Sequence, residues 1–309
     1  MNGSRIVGWG AALPDKVVTN ADLEGTLDTS DAWIVERSGI RERRIGGTTA
    51  GLAVEAGRAA LDRAGLAPAD IGVVMLCTST PDQQLPATAS TVQHELGLTC
   101  GAFDLNAACT GFVYGYIVAH QLVAGGMGRV LLIGSETMSR LIDWDDRTTA
   151  VLFGDGAGAV ILEPTEPSEP GLRGYDMGSD GAARAILDAD LGGFLRMEGK
   201  EVFRRAVRVM IDSSRRSMAM AGVTAEDIAL VVPHQANIRI IESANAKLGL
   251  SMERTAVVLD RTGNTSSASI PIALADAADA GRLAPGDLVL IVGFGAGMTW
   301  ASAVLRWDP

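Results

Sequence analysis

The stretch Ala64-Gly65-Leu66-Ala67-Pro68-Ala69-Asp70-Ile71-Gly72-Val73-Val74 returns later in the chain as Ala221-Gly222-Val223-Thr224-Ala225-Glu226-Asp227-Ile228-Ala229-Leu230-Val231. Each copy reads as the end of a helix, a glycine that stops it, an acid-bearing turn and the start of an apolar strand. Two shorter matches keep the same order. Leu96-Gly97-Leu98 returns as Leu248-Gly249-Leu250, and Gly156-Ala157-Gly158 as Gly295-Ala296-Gly297. Repetition in a fixed order predicts a duplicated architecture.

Outward from the repeat, Val73-Val74-Met75-Leu76, Val130-Leu131-Leu132-Ile133, Val160-Ile161-Leu162, Leu230-Val231-Val232 and Leu288-Val289-Leu290-Ile291-Val292 are short apolar runs. They predict strands buried on both faces. Alanine- and leucine-rich segments at 50–65, 87–97, 200–221, 236–248 and 268–280 have helical spacing. Such alternation predicts α/β layers. The linker expected between the copies is Glu163-Pro164-Thr165-Glu166-Pro167-Ser168-Glu169-Pro170-Gly171, whose prolines and acids suit neither a central strand nor a helix interior. It divides the chain into halves at 1–164 and 165–309.

Composition excludes several classes. The 309 residues are 47% hydrophobic and 20% charged, as in an ordinary globular protein. A net charge of −11 argues against duplex nucleic acid as a partner. No apolar run approaches the roughly 20 residues that span a bilayer. The N-terminus lacks the apolar stretch of a signal peptide, so the cytoplasm is the expected location. Three cysteines and three scattered histidines predict neither a disulfide framework nor a metal site.

Three residues carry the expected chemistry. Cys109 precedes Thr110-Gly111-Phe112-Val113-Tyr114-Gly115-Tyr116-Ile117, which predicts a buried helix with the thiol at its start. A helix N-terminus stabilises a thiolate. Taken alone, Cys109 also reads as a small core side chain. His234 follows Val231-Val232-Pro233, placing it past the C-terminal end of a strand, where ligands gather in α/β sheets. Asn264, in Asp260-Arg261-Thr262-Gly263-Asn264-Thr265-Ser266-Ser267, reads by itself as a turn or cap residue. The repeat gives it meaning, because this turn stands where the Cys109 turn stands in the first half. Gly154-Asp155-Gly156-Ala157-Gly158 leads into a strand rather than a helix and is no dinucleotide fingerprint. Gly293-Phe294-Gly295-Ala296-Gly297 offers backbone N–H groups for an oxyanion.

Together these residues resemble a known family along the whole chain, β-ketoacyl-acyl carrier protein synthase III of the thiolase superfamily. The resemblance is carried by Asp28-Thr29-Ser30-Asp31-Ala32-Trp33-Ile34, Ser38-Gly39-Ile40-Arg41-Glu42-Arg43, Asn106-Ala107-Ala108-Cys109-Thr110-Gly111-Phe112, Phe153-Gly154-Asp155-Gly156-Ala157-Gly158-Ala159, Pro233-His234-Gln235-Ala236-Asn237, Asp260-Arg261-Thr262-Gly263-Asn264-Thr265-Ser266 and Gly293 through Trp300. It implies a duplicated thiolase-like five-layered α-β-α-β-α fold, a homodimer, and decarboxylative condensation of an acyl-CoA primer with malonyl-acyl carrier protein. No metal or redox cofactor is implied. Cys109 becomes the nucleophile, with His234 and Asn264 as partners and the N–H groups of Cys109 and Ala296 as the oxyanion hole.

The resemblance also implies CoA contacts at Trp33, Arg37, Arg147 and Asn237, and an acyl pocket including Leu85, Met197 and Met298. A basic helix face with Arg204, Arg205, Arg208, Arg215 and Arg216, aided by Arg239 and Lys247, would receive the acidic carrier protein. Phe203, Val207, Met210 and Ile211 are expected on the opposite side of that helix. Ala296 stands where many relatives have glycine, and Leu85 where acetyl-selective ones often have phenylalanine. The stretch between Asp188 and Met197 is short for the family. These departures predict a primer other than acetyl, branched or longer. Polyketide priming, simple acyl transfer and a silent partner subunit remain alternatives on sequence alone.

Overall fold

A computed structural model of the chain describes residues 3–166 and 171–309. Numbering only the strands of the two large sheets, the chain forms β1 (Gly3–Ala12), β2 (Ile71–Cys77), β3 (Gly101–Leu105), β4 (Arg129–Thr137) and β5 (Asp155–Thr165), then β6 (Leu172–Ser179), β7 (Ile228–Pro233), β8 (Leu288–Gly295) and β9 (Thr299–Arg306). The main helices are α1 (Thr49–Ala64), α2 (Thr88–Glu95), α3 (Gly111–Ala124), α4 (Gly199–Ala221), α5 (Ile238–Leu248) and α6 (Ser269–Asp279).

The first sheet has the order β1-β5-β4-β2-β3 and the second β6-β9-β8-β7. Within them β2 runs parallel to β3 and β4, and β7 parallel to β8, while the other pairings are antiparallel. The second sheet therefore repeats four strands of the first, and at the place of β3 a single parallel bridge joins Thr255 to Val231 of β7. The expected duplication is present.

Period-two alternation sorts each strand's side chains between two layers. Val74, Leu76, Leu131 and Ile133 pack outward on Leu52, Ala56 and Ala60 of α1 and Val92 of α2. Val73, Met75, Val130 and Leu132 pack inward on α3 and α6, as do Leu230, Val232, Val289 and Ile291 from the second sheet. Val231, Leu290 and Val304 face the other way, toward α4 and α5. The layers run α, β, α, β, α. Each fully buried aliphatic side chain contributes about 1.5–3 kcal/mol. Small residues set the spacing: a Cβ on Gly134 of β4 would meet the Ser267 carbonyl oxygen at 2.5 Å.

Two expectations need correction. Residues Glu163, Pro164 and Thr165 belong to β5 rather than to a linker. Their backbones pair with Arg5, Ser4 and Gly3 of β1, past the point where the β4 ladder begins at Val130 and Leu162, so Pro164 sits where β5 has edge character, as proline in a sheet requires. Pro167, Ser168, Glu169 and Pro170 lie outside the described residues. The match of Gly156-Ala157-Gly158 with Gly295-Ala296-Gly297 is also not a structural repeat. The first triplet lies in β5, whose counterpart is β9, whereas Gly295 ends β8. The glycines solve separate crowding problems. A Cβ on Gly158 would meet the Ile272 nitrogen at 2.6 Å, and one on Gly295 the Cys109 nitrogen at 2.7 Å. Among the described residues no helix is long and apolar enough to cross a membrane.

Candidate active site

The duplication delivers two equivalent turns to the centre. After β3, Asn106 Oδ1 accepts the N–H of Ala108 at 3.1 Å. Asn264 Oδ1 accepts the N–H of Ser266 at 2.9 Å in the same way. Ala108 and Ser266 share a φ of 49°, and each opens a single 3-10 turn, Ala108–Thr110 and Ser266–Ala268. Those turns lead into α3 and α6. Cys109 therefore sits in the turn just ahead of α3 rather than in the helix itself. Its mate in the repeat is Ser267, while Asn264 is the mate of Asn106. With its carbonyl committed to the turn, Asn264 keeps its NH₂ group for the cavity. The short helix Leu259–Thr262 and a bridge between Phe153 and Asn264 hold the second turn in place.

His234 comes directly after β7, and its N–H donates to Val292 O at 2.8 Å. Nδ1 lies 2.7 Å from Ser269 Oγ, and the ring meets Phe294 edge-on with centroids 5.4 Å apart. Ser269 Oγ accepts the Gln235 N–H at 3.3 Å, which frees its own proton for Nδ1. That arrangement puts the imidazole proton on Nε2. Burial lowers the His234 pKa to about 3, so the ring stays neutral at working pH. Burial likewise pushes the Cys109 thiol up to about 12. The Ser266 hydroxyl opposes that rise, and the Glu136 carboxylate adds to it.

Cys109, His234 and Asn264 line one cavity of about 890 Å³, together with Ser266, Phe294 and Ala296. Three residues far apart in sequence thus meet as the sequence predicts. The glycine at 295 is what lets β8 approach the Cys109 backbone. A buried thiol, an N–H donor and an NH₂ donor around one space can form an acyl-thioester and stabilise negative charge beside it.

Models of the 3-oxoacyl-[acyl-carrier-protein (ACP)] synthase III family match residues 103–181, and those of its C-terminal part residues 218–307. A β-ketoacyl-[acyl-carrier-protein] synthase III of Agrobacterium fabrum is 50% identical, covering 98% of this chain and 99% of that one. The chain belongs to the β-ketoacyl-[acyl-carrier-protein] synthase III family. The crystal structure of the synthase III from Thermus thermophilus superposes with a TM-score of 0.95 at 47% identity, covering 98% of this chain and 99% of that one. That from Aquifex aeolicus gives 0.95 at 43%, covering 99% and 100%. A priming β-ketosynthase from the R1128 polyketide pathway gives 0.94 at 36%, covering 99% and 96%.

The remaining residues implied by the synthase III resemblance fall into three groups. Arg37 and Arg147 both lie against the Trp33 ring, with guanidinium carbons 5.8 and 5.4 Å from its centroid. Asn237 lines the cavity, caps α5 by accepting the Arg239 N–H, and donates Nδ2 to Arg37 O at 2.8 Å. Met197 lines the cavity, but Met298 does not. Met298 is buried in the core beneath α4, its backbone paired in both directions with that of Asp180. Leu85 is 83% exposed and lies outside its own chain's cavity, whereas Gln83 and Gln84 line it.

On α4, Arg204, Arg208 and Arg215 line a shallow groove with Lys247 of α5. Val207 and Ile211 form the floor of that groove instead of the opposite side of the helix, a correction to the simple wheel. Arg205 turns aside to pair with Glu201 and Asp180, and Arg216 pairs with Asp176. Arg239 lies over the Phe203 ring at 5.7 Å.

Neither Ser266 nor Glu136 carries a role in the sequence motifs, although Ser266 lines the cavity with Cys109 and donates its hydroxyl to Glu136. Glu136 is the penultimate residue of β4, three positions past its apolar run Val130-Leu131-Leu132-Ile133. A carboxylate at the C-terminal end of a buried parallel strand was the available signal.

Proposed function

We propose that this chain catalyses the decarboxylative condensation of an acyl-CoA primer with malonyl-acyl carrier protein, an acyltransferase reaction that opens fatty acid synthesis. The observation that carries this reading is the convergence of the Cys109 thiol with the two neutral donors His234 and Asn264 in one cavity. Cys109 attacks the primer thioester, and the N–H groups of Cys109 and Ala296 receive the oxyanion. CoA leaves. His234 and Asn264 then donate to the thioester oxygen of malonyl-acyl carrier protein as carbon dioxide departs, and the carbanion attacks the acyl-Cys109 carbonyl. Neutral donors suit this task, since they stabilise the enolate without having to lose a proton. No step calls on a metal or redox cofactor.

Intact-mass measurement after incubation with acyl-CoA tests the first half: an acyl increment on Cys109 is expected. Carbon dioxide release on adding malonyl-acyl carrier protein tests the second, and its absence from an acylated enzyme would reduce the activity to simple acyl transfer.

Trp33 and Arg147 would hold the CoA adenine by stacking, with Arg37 nearby at the mouth, and the contact of both guanidinium groups with the Trp33 ring supports this. Base–aromatic stacking is worth about 1–3 kcal/mol, so Trp33→Ala should raise the primer KM about tenfold while leaving the rate of the chemical step nearly unchanged. The cavity, bounded by Met197 and the segment 187–195, suits a primer larger than acetyl. Isobutyryl-CoA should outrun acetyl-CoA in a side-by-side assay, and a strong acetyl preference would refute that choice.

The Arg204, Arg208 and Lys247 groove supports docking of an acidic carrier. The ion pairs of Arg204 with Glu201 and Arg208 with Asp212 are exposed and so cheaply exchanged. A homodimer is supported by β3, an edge strand with Phe103 exposed, and by the exposed Leu85. The same reading places the enzyme in the cytoplasm. A polyketide-priming role rests on the likeness to the R1128 enzyme. Turnover with fatty-acid as against polyketide carrier proteins would separate the two.

A further inference from the structure

A carboxylate that the steps above leave unused lies behind Ser266, which lines the cavity together with the nucleophile. Glu136, fully buried at the end of β4, is surrounded by hydroxyls and N–H groups. Its Oε1 lies 2.9 Å from Ser266 Oγ and 2.9 Å from Ser267 Oγ. Its Oε2 lies 2.6 Å from Thr80 Oγ1 and 3.1 Å from Thr78 Oγ1. The Ser79 N–H donates to both oxygens, at 3.1 and 3.0 Å, and the Ser267 N–H reaches Oε1 at 3.4 Å. Among the described residues no lysine or arginine bonds to it. Burial raises its pKa, and the hydroxyls of Thr80 and Ser267, the Ser79 N–H and the Ser266 hydroxyl offset only part of that rise.

Ser266 is the link to the chemistry. Its hydroxyl bonds Glu136 Oε1, Ser266 lines the cavity together with Cys109, and the hydroxyl favours the anionic form of that thiol. While Glu136 is ionised, the Ser266 proton points at the carboxylate and its lone pairs are free to accept the thiol proton. A thiolate formed beside an ionised Glu136 would place two negative charges together in a dry site with no cation between them. Passing the thiol proton to Glu136 keeps the net charge of the group constant. His234 is a poor alternative acceptor, because its burial opposes a positive charge. The other titratable groups nearby are Cys77 at the end of β2, Asp104 on β3, Asp155 on β5 and Arg140, whose guanidinium is turned to the Thr80 carbonyl and to Asp82 rather than to Glu136.

We infer that Glu136 is a positioning residue that holds the Cys109 proton between the two half-reactions, receiving and returning it through the Ser266 hydroxyl. The inference rests on the condensation reading above. In acylation the S–H bond breaks while the new S–C(acyl) bond forms and the primer's C–S bond breaks. The thiol proton moves to Ser266 Oγ as Ser266's own proton moves to Glu136 Oε1. CoA sulfur leaves with the electron pair and takes a proton from water at the cavity mouth. In condensation the malonyl carboxylate departs as carbon dioxide, and its electron pair forms the new carbon–carbon bond. The Cys109–acyl bond then breaks, and the departing thiolate recovers the proton from Glu136. One proton is consumed overall, matching the carboxylate charge lost with carbon dioxide.

The test is difference infrared spectroscopy of the wild-type enzyme on acylation by its primer, beside stopped-flow acylation rates across pH. A carboxylic-acid C=O band should appear as Cys109 is acylated and be missing in Glu136→Gln. Glu136→Gln and Ser266→Ala should each slow acylation about 10²-fold near neutrality and lose the acid limb of the pH profile. Glu136→Asp should keep that limb. An acylated wild type without the band overturns the inference whether or not the variants fold. So does a Glu136→Gln enzyme with unchanged rate and profile. If the wild type takes no acyl group on Cys109, the condensation reading falls as well.

Discussion

Cys109→Ala is expected to abolish acyl-enzyme formation and to lower condensation by about 10⁴-fold or more, the scale seen when a covalent nucleophile is removed from a unit of cooperating residues. Cys109 is the only cysteine lining the central cavity among the described residues. Cys77 is fully buried under α3, where a Cβ on Gly115 would meet its sulfur at 2.5 Å, and no substrate reaches it. Cys100 precedes β3 and lies apart from the cavity. The checks are intact mass after primer incubation and product formation with malonyl-acyl carrier protein. An acyl increment of full occupancy in the variant would end the assignment.

The second large effect separates the half-reactions. His234→Ala and Asn264→Ala should each slow decarboxylation of malonyl-acyl carrier protein by about 10²–10³-fold, the cost of losing one donor to a developing oxyanion. Acylation of Cys109 should continue in both, which a general packing defect would not allow. Asn264→Asp should be worse than alanine. Its carboxylate still accepts the Ser266 N–H but turns a negative charge toward the enolate, where a donor stood. The pH dependence has a definite sign. A His234 pKa lowered to about 3 leaves the imidazole neutral well below its usual range near 6.5, so decarboxylation should not fall through His234 protonation between about pH 5 and pH 8. A decarboxylation rate that drops with a midpoint near 6.5, and loses that drop in His234→Ala, would contradict the neutral-donor role.

Sequence patterning reached far into this structure because β2, β4, β7 and β8 are buried on both faces and read as plain apolar runs. It failed at β6 and β9. Leu172-Arg173-Gly174-Tyr175-Asp176-Met177-Gly178-Ser179 is the edge strand of its sheet and is mostly half-buried or exposed, so no apolar run marks it. Thr299–Arg306 follows a glycine-rich turn and was absorbed into it. The three residues proposed for catalysis were legible because the duplication and the family motifs pointed to the same three positions. Met298 and the floor of the basic groove were not, since a helix wheel or a motif match says which residues are near but not which way the backbone turns them. A carboxylate near the C-terminal end of β4 was the one legible sign of Glu136, but a strand pattern does not say what the other half of the chain brings against it. Only the docked Ser266-Ser267 turn does.

The inner layer, where α3 and α6 lie between the sheets, draws its apolar residues from both halves of the chain at once. Neither half can swing without exposing that shared interior, so the reacting atoms sit in a frame with no hinge.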